Sequence, residues 1–183
     1  MIKRPLDILI ITGEGHSLGN VIVALFQHTA RLPPDTRIRS MSLTSHPPAP
    51  TRPQLRDILH PVGIEPDQTT GMAFSRSALI SATHVLVQDN RQKQHLIQQF
   101  PDCRHKIFRV AQWSSRELFE PDPDDRENLL DVITRISESI GGWCAALNRA
   151  GARSLPQTVS DTSMAPVPSY RVTGGNTPSL YRA

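Results

Sequence analysis

Residues Leu6 to Thr12 read Leu-Asp-Ile-Leu-Ile-Ile-Thr and are followed at once by Gly13. A short, almost unbroken apolar run closed by glycine is how a strand buried on both faces reads, and such strands belong to parallel sheets covered by helices on each side. Three further runs carry strand signals: Arg37 to Leu43, His84 to Gln88 and Lys106 to Val110. The intervening segments have helical spacing. Asn20 can cap a helix through Val21, Leu25, Phe26 and His28 to about Arg31, where Leu32-Pro33-Pro34 stops it. Pro53 suits the first turn of a helix carrying Leu55, Ile58 and Leu59, and a small helix is expected near Ser77 to Ala82. Asp89 or Asn90 can cap a helix bearing Leu96, Ile97 and Phe100 and closed by Pro101. A broad apolar stripe, Leu129, Leu130, Val132, Ile133, Ile136, Ile140, Trp143, Cys144 and Leu147, marks the last helix. The order β-α-β-α-α-β-α-β-α predicts an α/β domain, with a four-stranded parallel sheet flanked by helices over roughly residues 5–148.

The 183 residues suffice for one such domain with a tail to spare. From Gly151 onward Pro156, Pro166, Pro168 and Pro178 are scattered among Ser, Thr, Gly and Asn, and the apolar residues lose their period. The chain therefore divides into a domain, 1–150, and a tail, 151–183, expected to be disordered unless a partner holds it. Both tyrosines, Tyr170 and Tyr181, lie in the tail and each precedes an arginine, which makes them candidate anchors for a protein partner. Of the net charge of +3, the tail holds +2 through Arg153, Arg171 and Arg182 against Asp161, leaving the domain only +1. That is no footprint for nucleic acid. Cys103 and Cys144 match no metal or redox spacing, so no metal is expected and a reduced, cytoplasmic setting fits. The apolar run Ile8 to Ile11 is too short for a signal peptide or a membrane span, so no membrane insertion is expected.

In open parallel sheets ligands bind beyond the carboxyl ends of the strands. That rule points to Thr12–Gly19, to the segment after Gln88 and to the segment after Trp113. In the first, Gly13, Glu14, Gly15, His16, Ser17 and Gly19 form a loop between strand and helix whose backbone N–H groups can face an anion. Glu14 opposes this with its negative charge. His16 and Ser17 have the chemistry of a base and a nucleophile, although adjacent residues on a tight loop rarely face each other. Flavodoxin-like folds also place glycine- and hydroxyl-rich loops after the first strand, so a nucleotide or flavin binder stays open as an alternative. No cofactor is otherwise expected. Within Glu-Pro-Asp-Pro-Asp-Asp, Asp124 and Glu127 are spaced as a capping box for the final helix.

The order of these pieces resembles the low-molecular-weight protein-tyrosine phosphatases over about residues 6–148. DILIITGEGHSLGN occupies the place of that family's strand and phosphate loop, HPPAPTRPQLRDILHPVGIEPDQ is similar to its turn, helix and G-I-D segment, and SALISATHVLVQDNRQKQHLIQQFPDCRHKIFRVAQW to its strand, helix and K-V-F strand. EPDPDD sits where the family carries the aspartate that acts as general acid, which puts Asp122 at that position. The resemblance implies a cysteine thiolate at the start of the loop and an arginine six residues later. Alignment by the strand puts Thr12 and Leu18 there, and alignment by the Thr-Gly pair puts Ile11 and Ser17 there. Both registers lack both groups. A threonine hydroxyl is barely ionised without a base beside it, and losing a bidentate arginine removes the clamp on the phosphoryl oxygens. The expectation is a pseudophosphatase: a binding or regulatory module, in the context of phosphotyrosine signalling or polysaccharide export, that binds phosphate weakly or not at all. An enzyme of altered chemistry, with Thr12 or Ser17 acting with Asp122, is the alternative.

Overall fold

A computed structural model describes residues 5–13, 17–46, 49–66, 71–122 and 124–150. Glu14, Gly15 and His16 lie outside the described residues, as does the tail with Tyr170 and Tyr181. Four parallel strands, β1 (Asp7–Thr12), β2 (Arg37–Ser42), β3 (His84–Val87) and β4 (Ile107–Arg109), form one sheet in the order β2-β1-β3-β4. The helices are α1 (Leu18–Thr29), α2 (Pro53–Leu59), α3 (Arg76–Ser81), α4 (Asn90–Gln99) and α5 (Arg126–Ala150), with short 3-10 turns at His60–Val62 and Pro101–Lys106. The expected alternation holds.

The continuous apolar character of β1 has a direct cause. Successive strand side chains point to opposite faces. Ile8 and Ile10 pack with Val21, Ile22 and Phe26 of α1 and with Ile136, Ile140 and Trp143 of α5. Leu9 and Ile11 pack on the other side with Leu79 of α3 and Leu96 of α4. Trp143 is buried with its polar atom satisfied, Nε1 donating to the Val110 carbonyl at 2.8 Å. Arg39 on β2 forks onto Asp7 of β1, through Nη2 to Oδ2 at 2.9 Å and Nε to Oδ1 at 3.3 Å, and so ties the amino ends of the two strands.

Three local expectations need correction. Asn20 does not cap α1: the helix begins two residues earlier at Leu18, and Asn20 is buried in its first turn, where its Oδ1 accepts from Ser40 Oγ at 2.6 Å. The polar side chain holds α1 to β2 instead of closing the helix end. Asp124 does not cap α5, because Asp125 does, its Oδ1 accepting from Asn128 N at 3.0 Å. The box from Asp124 to Glu127 is one residue out of phase with a helix starting at Arg126. The fourth strand is also shorter than expected, since Pro101–Lys106 is a 3-10 turn and Lys106 spends its ammonium on the carbonyls of Ile80 and Ala82 at 2.6 and 2.9 Å. Asp89 caps α4 as expected, its side chain accepting from Gln92 N, and Pro53 opens α2.

Candidate functional site

The strand order reverses direction between β1 and β3, so the crevice beyond their carboxyl ends is where the loops after these strands diverge. The β1 loop leads into α1 there. Ser17 is the N-cap of α1, fully buried, with φ −96° and ψ −8°. A serine in this position ordinarily turns its hydroxyl onto the third residue's N–H. Here it does not. Both Ser17 N and Ser17 Oγ donate to one oxygen, Glu120 Oε1, at 2.9 and 2.7 Å. Arg52, the N-cap of α2, brings Nε to 3.6 Å from the same oxygen. The Glu120 side chain is only 14% exposed, and its other oxygen, Oε2, is buried with no hydrogen-bond partner among the described residues.

Thr12, at the end of β1, is fully buried, and its Oγ1 also has no hydrogen-bond partner among the described residues. It faces the first turn of α1. A Cβ added to Gly19 would stand 3.3 Å from Thr12 Oγ1 and 3.2 Å from Ser40 Cβ. Gly19 is therefore a packing residue in the first turn of α1: it lets the helix approach β1 and β2 more closely than a side chain would permit. Leu18 is fully buried in the cluster formed by α1, α5 and β1. Gly13 is half-buried at the start of the loop.

Asp122 lies elsewhere. It is exposed, its Oδ1 accepts from Asp124 N at 3.0 Å and its own N–H donates to Asn128 Oδ1, so it serves the turn before α5. The carboxylate that reaches the β1 loop belongs to Glu120, two residues upstream, which the sequence reading missed. The available signal was parity. Leu118 and Glu120 turn inward while Phe119 between them is 63% exposed, the alternation of an extended segment. Segment 113–120 is further held by Asn90 N donating to Glu117 Oε1 and Arg135 Nη1 donating to the Glu117 carbonyl, both at 3.1 Å.

A cleft of about 860 Å³ opens at the opposite, amino-terminal end of the strands, lined among others by Asp7, Arg37, Arg76 and Lys106. Of its charged groups, Asp7 is engaged by Arg39 and Lys106 by two carbonyls. The switch-point crevice is the better candidate. Among the described residues no cluster of His, Cys, Asp and Glu could hold a metal ion, and no helix is long and apolar enough to cross a membrane.

No protein-family model matches the chain, and no curated protein matches it. Solved structures do. The YwlE arginine phosphatase from Geobacillus stearothermophilus superposes with a TM-score of 0.70 at 18% identity, covering 84% of this chain and 100% of that one. The chain has the low-molecular-weight phosphatase fold. A protein tyrosine phosphatase from Entamoeba histolytica shares that fold with a TM-score of 0.68 at 15% identity, over 79% of this chain and 96% of its own. The tyrosine phosphatase Wzb from Escherichia coli K30, solved in complex with sulphate, matches with a TM-score of 0.63 at 18% identity, over 79% and 99%. The phosphatase fold extends through the whole of these neighbours.

Proposed function

We propose that this chain is a pseudophosphatase: a binding or regulatory module, acting on a protein partner in a reduced, cytoplasmic setting, that keeps the phosphatase fold without its reaction. The observation that carries this reading is the residue at the end of β1. Thr12 is buried there, and the two thiols of the chain, Cys103 and Cys144, are free and belong to the turn before β4 and to α5. Phosphoryl transfer through a covalent intermediate needs an ionised nucleophile open to the substrate, and an alcohol sealed in the core supplies neither. Leu18, at the arginine position of the strand-based register, is likewise core. Because the structural neighbours include an arginine phosphatase and a tyrosine phosphatase, the test uses an aryl phosphate, a phosphotyrosine peptide and a phosphoarginine peptide. No turnover is expected on any of them; hydrolysis above roughly one per second overturns the proposal.

A second reading is favoured by one contact. Ser17 Oγ donates to Glu120 Oε1 at 2.7 Å, the geometry of a nucleophile with its base, and Ser17, fully buried like Thr12, would have to be uncovered to meet a substrate. This replaces the pairing of Ser17 or Thr12 with Asp122, because Asp122 faces the turn before α5. Turnover that disappears in both Ser17→Ala and Glu120→Ala would be its signature.

A further inference from the structure

We propose that the crevice is an oxyanion site gated from within: Glu120 occupies the seat as the chain's own carboxylate, and Arg52 is the cation that clamps an external phosphate once Glu120 withdraws. The inference rests on the non-catalytic reading only in taking this crevice as a place for binding.

The groups around Glu120 Oε1 form an anion site by their chemistry. The Ser17 N–H lies at the positive end of a helix of 12 residues, the Ser17 hydroxyl adds a second donor, and the Arg52 guanidinium supplies charge. Thr12 adds a second sign of a ligand position, being fully buried with its hydroxyl at the same turn and no hydrogen-bond partner among the described residues. The arginine that the family motif places in the loop is missing, but Arg52 reaches the seat from α2. A carboxylate already held there repels any incoming oxyanion and takes its donors.

The gate can open because the closed state satisfies only half of the carboxylate. Oε1 has its donors, whereas Oε2 is buried without a hydrogen bond among the described residues, a loss that water would make good on withdrawal. The neighbours of Glu120 permit that movement. Phe119 is exposed and Arg52 is about one-third exposed, so the Glu120 side chain can swing outward while Leu118 stays in the core.

The test is titration of the full chain with inorganic phosphate, followed by the amide NMR signals of Ser17 and Leu18, for the natural protein, Glu120→Ala, Glu120→Gln and the double variant Glu120→Ala with Arg52→Gln. The natural chain is expected to show no saturable shift in the millimolar range. Glu120→Ala should bind at least roughly tenfold more tightly, and Glu120→Gln, which keeps the shape and loses the charge, should fall between them. Adding Arg52→Gln should abolish the gain. Circular dichroism establishes that each variant folds, and if the alanine variant does not, the glutamine variant decides. Folded variants that bind phosphate no better than the natural chain overturn the proposal, as does a gain that survives Arg52→Gln. Aryl phosphate turnover measured on the same samples judges the non-catalytic reading separately, since a gated site can be present whether or not turnover is seen.

Discussion

Leu18 carries the strongest consequence at the scale of single residues. An arginine there would complete the family's loop in the strand-based register, and together with Thr12→Cys it is the obvious attempt to restore a phosphatase. Yet the Leu18 side chain is fully buried among Val21, Ile22 and the stripe of α5. Leu18→Arg is expected to cost at least about 3 kcal/mol, because it buries a charge without a partner, and thermal unfolding measures it. Retained stability together with new phosphate hydrolysis in the double variant would show that the loop can be rebuilt around position 18. Glu120 illustrates why single positions were hard to read. Glu120, Asp122, Asp124 and Asp125 lie within six residues, and spacing alone gives each of them a claim to the loop or to the helix cap. Their separate fates are set by where the chain turns: Asp125 caps α5, Asp122 ties the turn, and Glu120 alone points into the crevice.

At the scale of elements, α5 contains two adjacent glycines in unlike surroundings. A Cβ at Gly141 would meet nothing within 4 Å, whereas one at Gly142 would stand 2.7 Å from Cε3 of the Trp113 ring. Gly141→Ala should therefore stabilise the protein by roughly 0.5–1 kcal/mol through the backbone entropy of the unfolded chain. Gly142→Ala should gain less or lose, and should move the tryptophan emission, because the Trp113 ring must shift from its seat. Equal gains from both substitutions, without a spectral change, would contradict the packing of segment 113–120 on α5. The elements themselves were legible in the sequence for a physical reason. Strands buried on both faces leave an unbroken apolar run, and a long amphipathic helix leaves a stripe, so β1 and α5 are written locally. Their ends were less legible. Asn20 has the side chain of a cap and lies in the first turn only because Ser40, far away in the sequence, receives it. The contact between Ser17 and Glu120, separated by 103 residues, leaves no periodic trace at all.

For the molecule as a whole, His84 links stability to pH. It stands at the start of β3 with its ring near Phe108 and Trp143, at centroid distances of 6.3 and 6.5 Å, and its Nδ1 lies 3.2 Å from Thr83 Oγ1. Burial pushes its pKa below the ordinary 6.5. The unfolded chain therefore binds the proton more readily than the folded one, so stability rises with pH up to about 6.5 and is lost as pH falls below it. Replacing His84 with glutamine should flatten that part of the curve in urea unfolding measured on either side of neutrality; an unchanged slope would assign the acid sensitivity to other groups. The same aromatic chain continues outward from Trp143 to Trp113, whose rings are 5.0 Å apart and inclined at 63°. These are the chain's two tryptophans. Indoles this close and this far from parallel share their excited states, so circular dichroism in the indole bands carries a signed pair fixed by their mutual angle. Trp113 opens the segment that ends in Glu120, and that optical couplet reports, without any label, whether the segment is seated.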